Sequence, residues 1–211
     1  MIKTVQQEGL FADAPALPEG FLYQPEFLTR EEEASLIAGI RELPFTEAKY
    51  REFTARRRTV SYGGQYDFSR NRLDEAPELP PLLFPLREKV AGWVGIPPAQ
   101  FVHGLVTEYQ TGTPLGWHRD VPNFEVIVGV SLAGRARMRL RPYRPGEKQR
   151  REDTIVLELE PRSAYVMRDN ARWGWQHCIS ETKELRYSVT FRTSRKDPRR
   201  SSAPLRAQRR A

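Results

Sequence analysis

Three histidines occur in the chain, and two of them sit in a pattern that could bind a metal. His118 is followed two residues later by Asp120, and His177 comes much further on. Two imidazoles and one carboxylate are the ligand set of a non-haem Fe(II) facial triad, which leaves one face of the metal open. Side chains alternate along an extended segment, so His118 and Asp120 point to the same side. His177 must then arrive from another strand. His103 has no such partner in sequence and reads as structural.

A second constellation lies near the C-terminus. In Arg186-Tyr187-Ser188-Val189-Thr190-Phe191-Arg192, polar and apolar residues alternate throughout. Arg186, Ser188, Thr190 and Arg192 share one face; Tyr187, Val189 and Phe191 share the other. The apolar face suits a core. A guanidinium forks onto a carboxylate through two hydrogen bonds, so two arginines on one face suit a dicarboxylate held at both ends. At a rise of roughly 3.3 Å per residue the two Cα atoms lie up to about 20 Å apart, so they would grip different ends of a ligand.

Together these residues resemble the AlkB-like branch of the 2-oxoglutarate- and Fe(II)-dependent dioxygenases, from about Tyr62 to Arg192. That family closes its core with Arg-x-Asn-x-Thr-x-Arg, which here is Arg186-x-Ser188-x-Thr190-x-Arg192. It also has Asn-x-Tyr, a Gly-containing turn and His-x-Asp in that order. Here these are Thr107-x-Tyr109, Gly112 and His118-x-Asp120. The resemblance implies a mainly β fold, a double-stranded β-helix (jelly roll) with flanking helices. It implies His118, Asp120 and His177 as ligands of Fe(II), with 2-oxoglutarate and O2 as cosubstrates. Arg186 resembles the arginine that salt-bridges the far carboxylate of 2-oxoglutarate, and Arg192 the one that supports the carboxylate nearest the metal. Tyr109 resembles the tyrosine hydrogen-bonded to the cosubstrate. Thr107 and Ser188 stand where the family has asparagines and keep a shorter hydrogen-bonding group.

The resemblance also implies a reaction: oxidative demethylation of N-alkylated bases in DNA or RNA, releasing succinate, CO2 and formaldehyde, as in DNA repair. Arg56-Arg57-Arg58, then Tyr62-Gly63 and Tyr66-Asp67-Phe68-Ser69, resemble the family's nucleotide-recognition lid. On that reading Arg56, Arg57 and Arg58 meet the nucleic-acid backbone, and Tyr62 and Gly63 cover the flipped base. Trp117, Trp173 and Trp175 adjoin the ligands and are further stacking candidates, with core packing the equal alternative. Arg119, between the first two ligands, either touches substrate or is solvated. Repair members often carry acidic residues directly after His-x-Asp. Here Val121-Pro122-Asn123 follow, which leaves DNA or RNA, and the lesion, open. Two other readings compete: an oxygenase acting on a protein or small molecule, and a non-catalytic zinc-holding module. Structural zinc sites are more often Cys-rich.

The elements that must position these groups are partly legible. Thr29-Arg30-Glu31-Glu32 is a capping box, followed by Leu36, Ile37, Ile40 and Leu43 at helical spacing and closed by Pro44. A second helix is expected from about Leu82 to Val94, with Pro85 in its first turn and Gly95 as its stop. Strands are expected at Phe101–Tyr109, Phe124–Leu132, Arg135–Arg141, Thr154–Leu159, Ser163–Arg168 and Leu185–Arg192. In the second of these, Phe124, Val126, Val128 and Val130 are expected on one face. In the third, Arg135, Arg137, Arg139 and Arg141 form a comb that either tracks phosphates or faces solvent. The two helices should cover one face of the strands.

Composition bounds the rest. The net charge is +7 over 211 residues, yet eight basic residues and a single acid, Asp197, lie between Arg192 and Ala211. The body is therefore neutral by formal count and the excess charge sits at its C-terminal end. The expected organisation is an irregular lead-in at 1–20, a dioxygenase domain at 21–192 and a basic, disordered tail at 193–211. Cys178, the one cysteine, excludes an internal disulfide. It adjoins His177 but points the other way along a strand, as a small buried residue. No segment reads as a signal peptide or membrane span, so a monomeric cytoplasmic protein without membrane attachment is expected.

Overall fold

A computed structural model of the chain describes residues 16–195, apart from 51–52, 64, 68–71, 75–76, 148–149 and 151–152. Phe68 and Ser69 of the lid expectation, most of the lead-in and most of the basic tail lie outside the described residues. The elements in chain order are β1 (Phe21–Gln24), α1 (Arg30–Arg41), β2 (Thr46–Tyr50), β3 (Phe53–Tyr62), β4 (Gln65–Asp67), β5 (Arg72–Asp74), α2 (Phe84–Val94), β6 (Phe101–Tyr109), β7 (Leu115–His118), β8 (Phe124–Ala133), β9 (Ala136–Pro142), β10 (Ile155–Leu159), β11 (Ala164–Met167), α3 (Asp169–Trp173), β12 (Trp175–Ile179) and β13 (Arg186–Ser194).

Among the described residues, one large sheet runs in the order β1-β11-β8-β13-β6-β3-β2 and a smaller one in the order β10-β9-β12-β7, with β4 and β5 paired as a separate hairpin. The pairs are antiparallel, and neighbours in the sheets are often distant in sequence, as a jelly roll requires. The outer face of the large sheet carries Val106, Val128, Val130, Val189 and Phe191, buried against Ile40 of α1 and Leu83, Leu86 and Val90 at α2. The space between the sheets is filled at one end by Phe21, Phe124, Ile127, Met138, Leu140, Leu159 and Met167. Elsewhere that space is lined by polar residues, and the site lies there.

Local chemistry explains the helices. The Thr29 hydroxyl accepts from the Glu32 backbone N–H at 3.2 Å, and the Glu32 carboxylate accepts from the Thr29 N–H at 2.8 Å. Glu32 also holds Lys89 of α2 at 2.6 Å, tying the two helices together. Pro81–Leu83 form a single 3-10 turn, so α2 begins at Phe84, two residues later than its spacing suggested. Gly95 ends it in a left-handed conformation, φ 69°. No helix among the described residues is long and apolar enough to cross a membrane.

Two expectations need correction. The strand from Phe124 does not keep one alternation: Arg192 pairs with Ile127, but Ser194 pairs with Phe124. The extra residue on β8 is a bulge that turns Phe124 inward beside Ile127, away from Val126. The last strand also continues through Thr193 and Ser194, which belong to the sheet and not to a tail. Arg56–Arg58, expected in a nucleotide-recognition lid, lie within a paired strand, β3.

Candidate metal centre

β7 is the edge of the small sheet and pairs with β12, which sets His118 directly opposite His177. Antiparallel partners share a face, so both imidazoles enter the space between the sheets. Their ring centroids are 4.2 Å apart. Asp120 follows β7, and its carboxylate comes within 3.7 Å of His177 Nε2. Ligand atoms of His118, Asp120 and His177 all lie within 4.8 Å of one another. The triad expected from spacing is therefore assembled in space.

The surroundings prepare each ligand for a cation. His118 Nδ1 lies 2.8 Å from the Gly116 carbonyl, which fixes the proton on that nitrogen and leaves Nε2 for the metal. His177 is pushed down to about 3 by its burial and by the neighbouring His118, so it is neutral at ordinary pH. Burial alone would push Asp120 up. The Arg192 guanidinium, the foremost of the neighbouring charges, outweighs it and holds the carboxyl well below its usual range. Neutral imidazole and ionised carboxylate are the ligating forms. Two nitrogens and one carboxylate oxygen suit Fe(II), and none of the three occupies the open side of the site.

Arg192 holds this arrangement. Its Nη2 and Nε donate to Asp120 Oδ1 at 3.0 and 3.3 Å, and its Nη1 donates to His103 Nδ1 at 3.2 Å. Its immediate partner is thus a metal ligand, where the sequence suggested a cosubstrate carboxylate. His103 is drawn into the site with it, against the structural role first given to it. The alternation of β6 carried that signal, because His103 shares a face with Thr107 and Tyr109. Arg172, on α3, was also missed. It is buried, and its Nη2 donates to the carbonyls of Asp120, Val121 and Phe124, pinning the loop that carries Asp120.

At the other end of the β13 face stands Arg186, 1% exposed. Its Nε donates to Ser131 Oγ at 3.0 Å and its guanidinium lies 5.0 Å from the Tyr109 ring centroid. Its Nη1 is buried without a hydrogen-bond partner. A buried guanidinium edge left open in this way calls for an anion. β13 pairs Arg186 with Tyr109 and Ser188 with Thr107 across β6. These four residues and the triad line one cavity of about 780 Å³. The residues suit a dicarboxylate whose far end meets Arg186 and whose near end reaches the metal.

The substrate candidates separate. Arg57 faces the cavity, as do Thr59 and Ser61. Arg58 faces the helices, where it donates to both oxygens of buried Glu108 at 2.8 and 2.9 Å. Arg56 is exposed. Tyr62 is 5% exposed and packs in the helix-side core, facing away from the cavity. Gly63 serves a backbone turn: its φ is +75°, and a Cβ there would fall 2.1 Å from the Val102 carbonyl oxygen. Trp117 lies at the cavity rim with its ring under Arg141 and Arg139. Trp173 donates to Glu125 at 3.1 Å, and Trp175 packs in the core between the sheets; neither lines the cavity. Arg119 is exposed at the rim and stacks on Tyr143. Of the comb, Arg135 and Arg137 are paired with Glu160 and Glu158 across β10 and its end.

The family model of the 2OG-Fe(II) oxygenase superfamily matches residues 20–200. The chain is 29% identical over 199 residues to the "Alkylated DNA repair protein ALKBH8 homolog" of Arabidopsis thaliana, covering 84% of this chain and 56% of that protein. It is 31% identical over 101 residues to "Uncharacterized protein L905" of Acanthamoeba polyphaga mimivirus, covering 42% of this chain and 46% of that one. The chain thus spans about half the length of these curated relatives. The solved structure of OsALKBH1 superposes with a TM-score of 0.67 at 16% identity, over 84% of this chain and 100% of that one.

Proposed function

The chain belongs to the 2OG-Fe(II) oxygenase superfamily, with an AlkB-like fold, and we propose that it removes alkyl groups oxidatively from N-alkylated bases in nucleic acid. The observation that carries this reading is a single cavity with the His118–Asp120–His177 triad and the open edge of buried Arg186 on its wall. Its volume is within the ~300–1,000 Å³ of sites that enclose a small ligand, enough for a cosubstrate with further room at the mouth. The nucleic-acid substrate is suggested by the Arabidopsis relative, whose name assigns it to alkylated DNA repair.

Iron(II), 2-oxoglutarate and O2 together supply hydroxylation of a C–H bond, with the cosubstrate losing CO2 to become succinate. His118, Asp120 and His177 would hold the metal, with Arg192 and Arg172 keeping Asp120 in place. Arg186 would fork onto the far carboxylate of 2-oxoglutarate, backed by Tyr109 and Ser131. Arg186 is buried at this end of the cavity, while Arg57 and Arg119 line it and would meet a flipped base. On an N-methyl group, the hydroxylated carbon leaves as formaldehyde when its bond to nitrogen breaks, and the base nitrogen keeps the electron pair. DNA repair and RNA demethylation both fit, and we assign the activity to the cytoplasm.

The test is release of succinate and formaldehyde from a panel of methylated DNA, methylated RNA and peptides. We expect release with a methylated nucleic acid and its loss in His118→Ala and Asp120→Ala. A response to peptides alone would replace this reading with a protein hydroxylase, and full turnover in either variant would remove the metal assignment.

A further inference from the structure

We propose that a belt of arginines stacked on aromatic rings, beside the metal ligands, docks the phosphodiester backbone of the strand that carries the target base. This rests on the nucleic-acid reading above and names the surface that would serve it. Two sets of arginines stand out on the described surface. Arg58, Arg135, Arg137, Arg144 and Arg162 each pair with a carboxylate. Arg119, Arg139, Arg141 and Arg195 make no ion pair among the described residues and lie against rings, with Arg141 Nε also donating to Gln176 Oε1 at 3.1 Å. The Arg119 guanidinium lies 3.6 Å from the Tyr143 centroid, and Arg195 lies 4.6 Å from that of Trp173. Arg141 and Arg139 lie 4.0 and 5.4 Å from that of Trp117.

The four are connected around the metal-binding segment. Trp117 and Arg119 are the two neighbours of His118. Arg119 Nη1 donates to the Trp173 carbonyl at 3.2 Å, and Trp173 carries Arg195, whose backbone N–H donates to Asn123 just beyond Asp120. Tyr143 is exposed and its N–H donates to the Gly174 carbonyl. Arg119 also lines the cavity, so the belt adjoins the mouth.

Ring stacking occupies the faces of a guanidinium and leaves N–H edges for an anion. A phosphate meeting these arginines has no carboxylate to displace, unlike one meeting Arg135 or Arg137. Orienting the groups in advance lowers the entropy lost on binding. Two acids stand near the belt: Glu125 accepts the Trp173 indole N–H at 3.1 Å, and Glu181 lines a shallow pocket with Trp117 and Arg139. Four guanidinium groups outnumber these carboxylates and leave the patch basic.

The test measures anisotropy of a labelled single-stranded oligonucleotide with the full chain between 50 and 200 mM salt. Each phosphate contact contributes ~0.7 to the slope of log affinity against log salt on a single strand. The double variants Arg119→Gln/Arg195→Gln and Arg139→Gln/Arg141→Gln should each reduce the slope by about 1.4 and weaken binding several-fold at low salt. Arg137→Gln, on the carboxylate-paired part of the same sheet, should change neither. Slopes in both double variants equal to wild type overturn the belt. The underlying function then stands if wild type still releases formaldehyde from a methylated strand. If wild type releases none from any nucleic acid, that reading falls and the belt falls with it.

Discussion

Replacing Arg186 by methionine should stabilise the protein without its cosubstrate and abolish its grip on a dicarboxylate. The side chain is 1% exposed, makes one hydrogen bond to Ser131, faces the Tyr109 ring and leaves Nη1 unpartnered. Burying a charge costs several kcal/mol in a real protein. The ring returns ~2 kcal/mol and the charged hydrogen bond ~1.5–3 kcal/mol. Removing the charge should therefore gain about 1–2 kcal/mol, similar in size to the gains seen when buried ionic groups are replaced by apolar ones. For a domain near 200 residues that raises the melting temperature by about 2–8 °C. The opposite effect falls on binding. Truncating one partner of a buried charge pair costs ~2–5 kcal/mol, or about 30- to 4,000-fold in Kd for 2-oxoglutarate. Arg186→Lys keeps the charge without the fork and should fall between. The assay is thermal unfolding of wild type and both variants, with and without 2-oxoglutarate, under Fe(II) and without O2. Wild-type affinity in Arg186→Met would refute the cosubstrate assignment, and a fall in its ligand-free melting temperature would refute the claim that this charge is buried unpaired.

Two further outcomes follow from single contacts. Glu108 is pushed up by burial but lowered overall by its hydrogen bonds to Arg58 and Gln110, so its contribution is present above ~pH 4.3 and fades as pH falls through its lowered folded value. Arg58→Met leaves burial opposed only by the Gln110 and Tyr187 hydrogen bonds and costs about 1–3 kcal/mol at pH 7; because Glu108 then titrates higher than in wild type, the deficit should narrow at pH 5, and urea melts with an equal gap at both pH values would disprove the pairing. Gly63→Ala should destabilise by at least ~1–2 kcal/mol from the left-handed backbone alone, more with the Val102 clash, and an unchanged melting temperature would show that the turn relaxes freely.

The parts of the site legible in the sequence are those governed by local periodicity. His118 and Asp120 share a side because strands alternate, and the same rule places Arg186, Ser188, Thr190 and Arg192 together. The capping box of α1 and the glycine stop of α2 were equally local. The facing of Tyr62 was not legible, because its neighbourhood in sequence says nothing about it: register against β6 turns Arg57, Thr59 and Ser61 to the cavity and Tyr62 to the helices. The Arg58–Glu108 pair was hidden for the same reason, since only that register shows Glu108 opposite Arg58.

The sequence by itself determined the ligand types, their order and the alternation of the strand that bears both arginines. Tertiary structure decided what each group touches. It set His177 across from His118, gave Arg192 to Asp120 and His103, and left Arg186 with an open edge. It also turned Trp117 and Trp173 from base-stacking candidates into supports for arginines. The physical reason is that alternation fixes a side chain's face within one strand, whereas its partner comes from a strand far away in sequence. That partner is chosen by sheet order and register, which the burial of the whole apolar face settles at once.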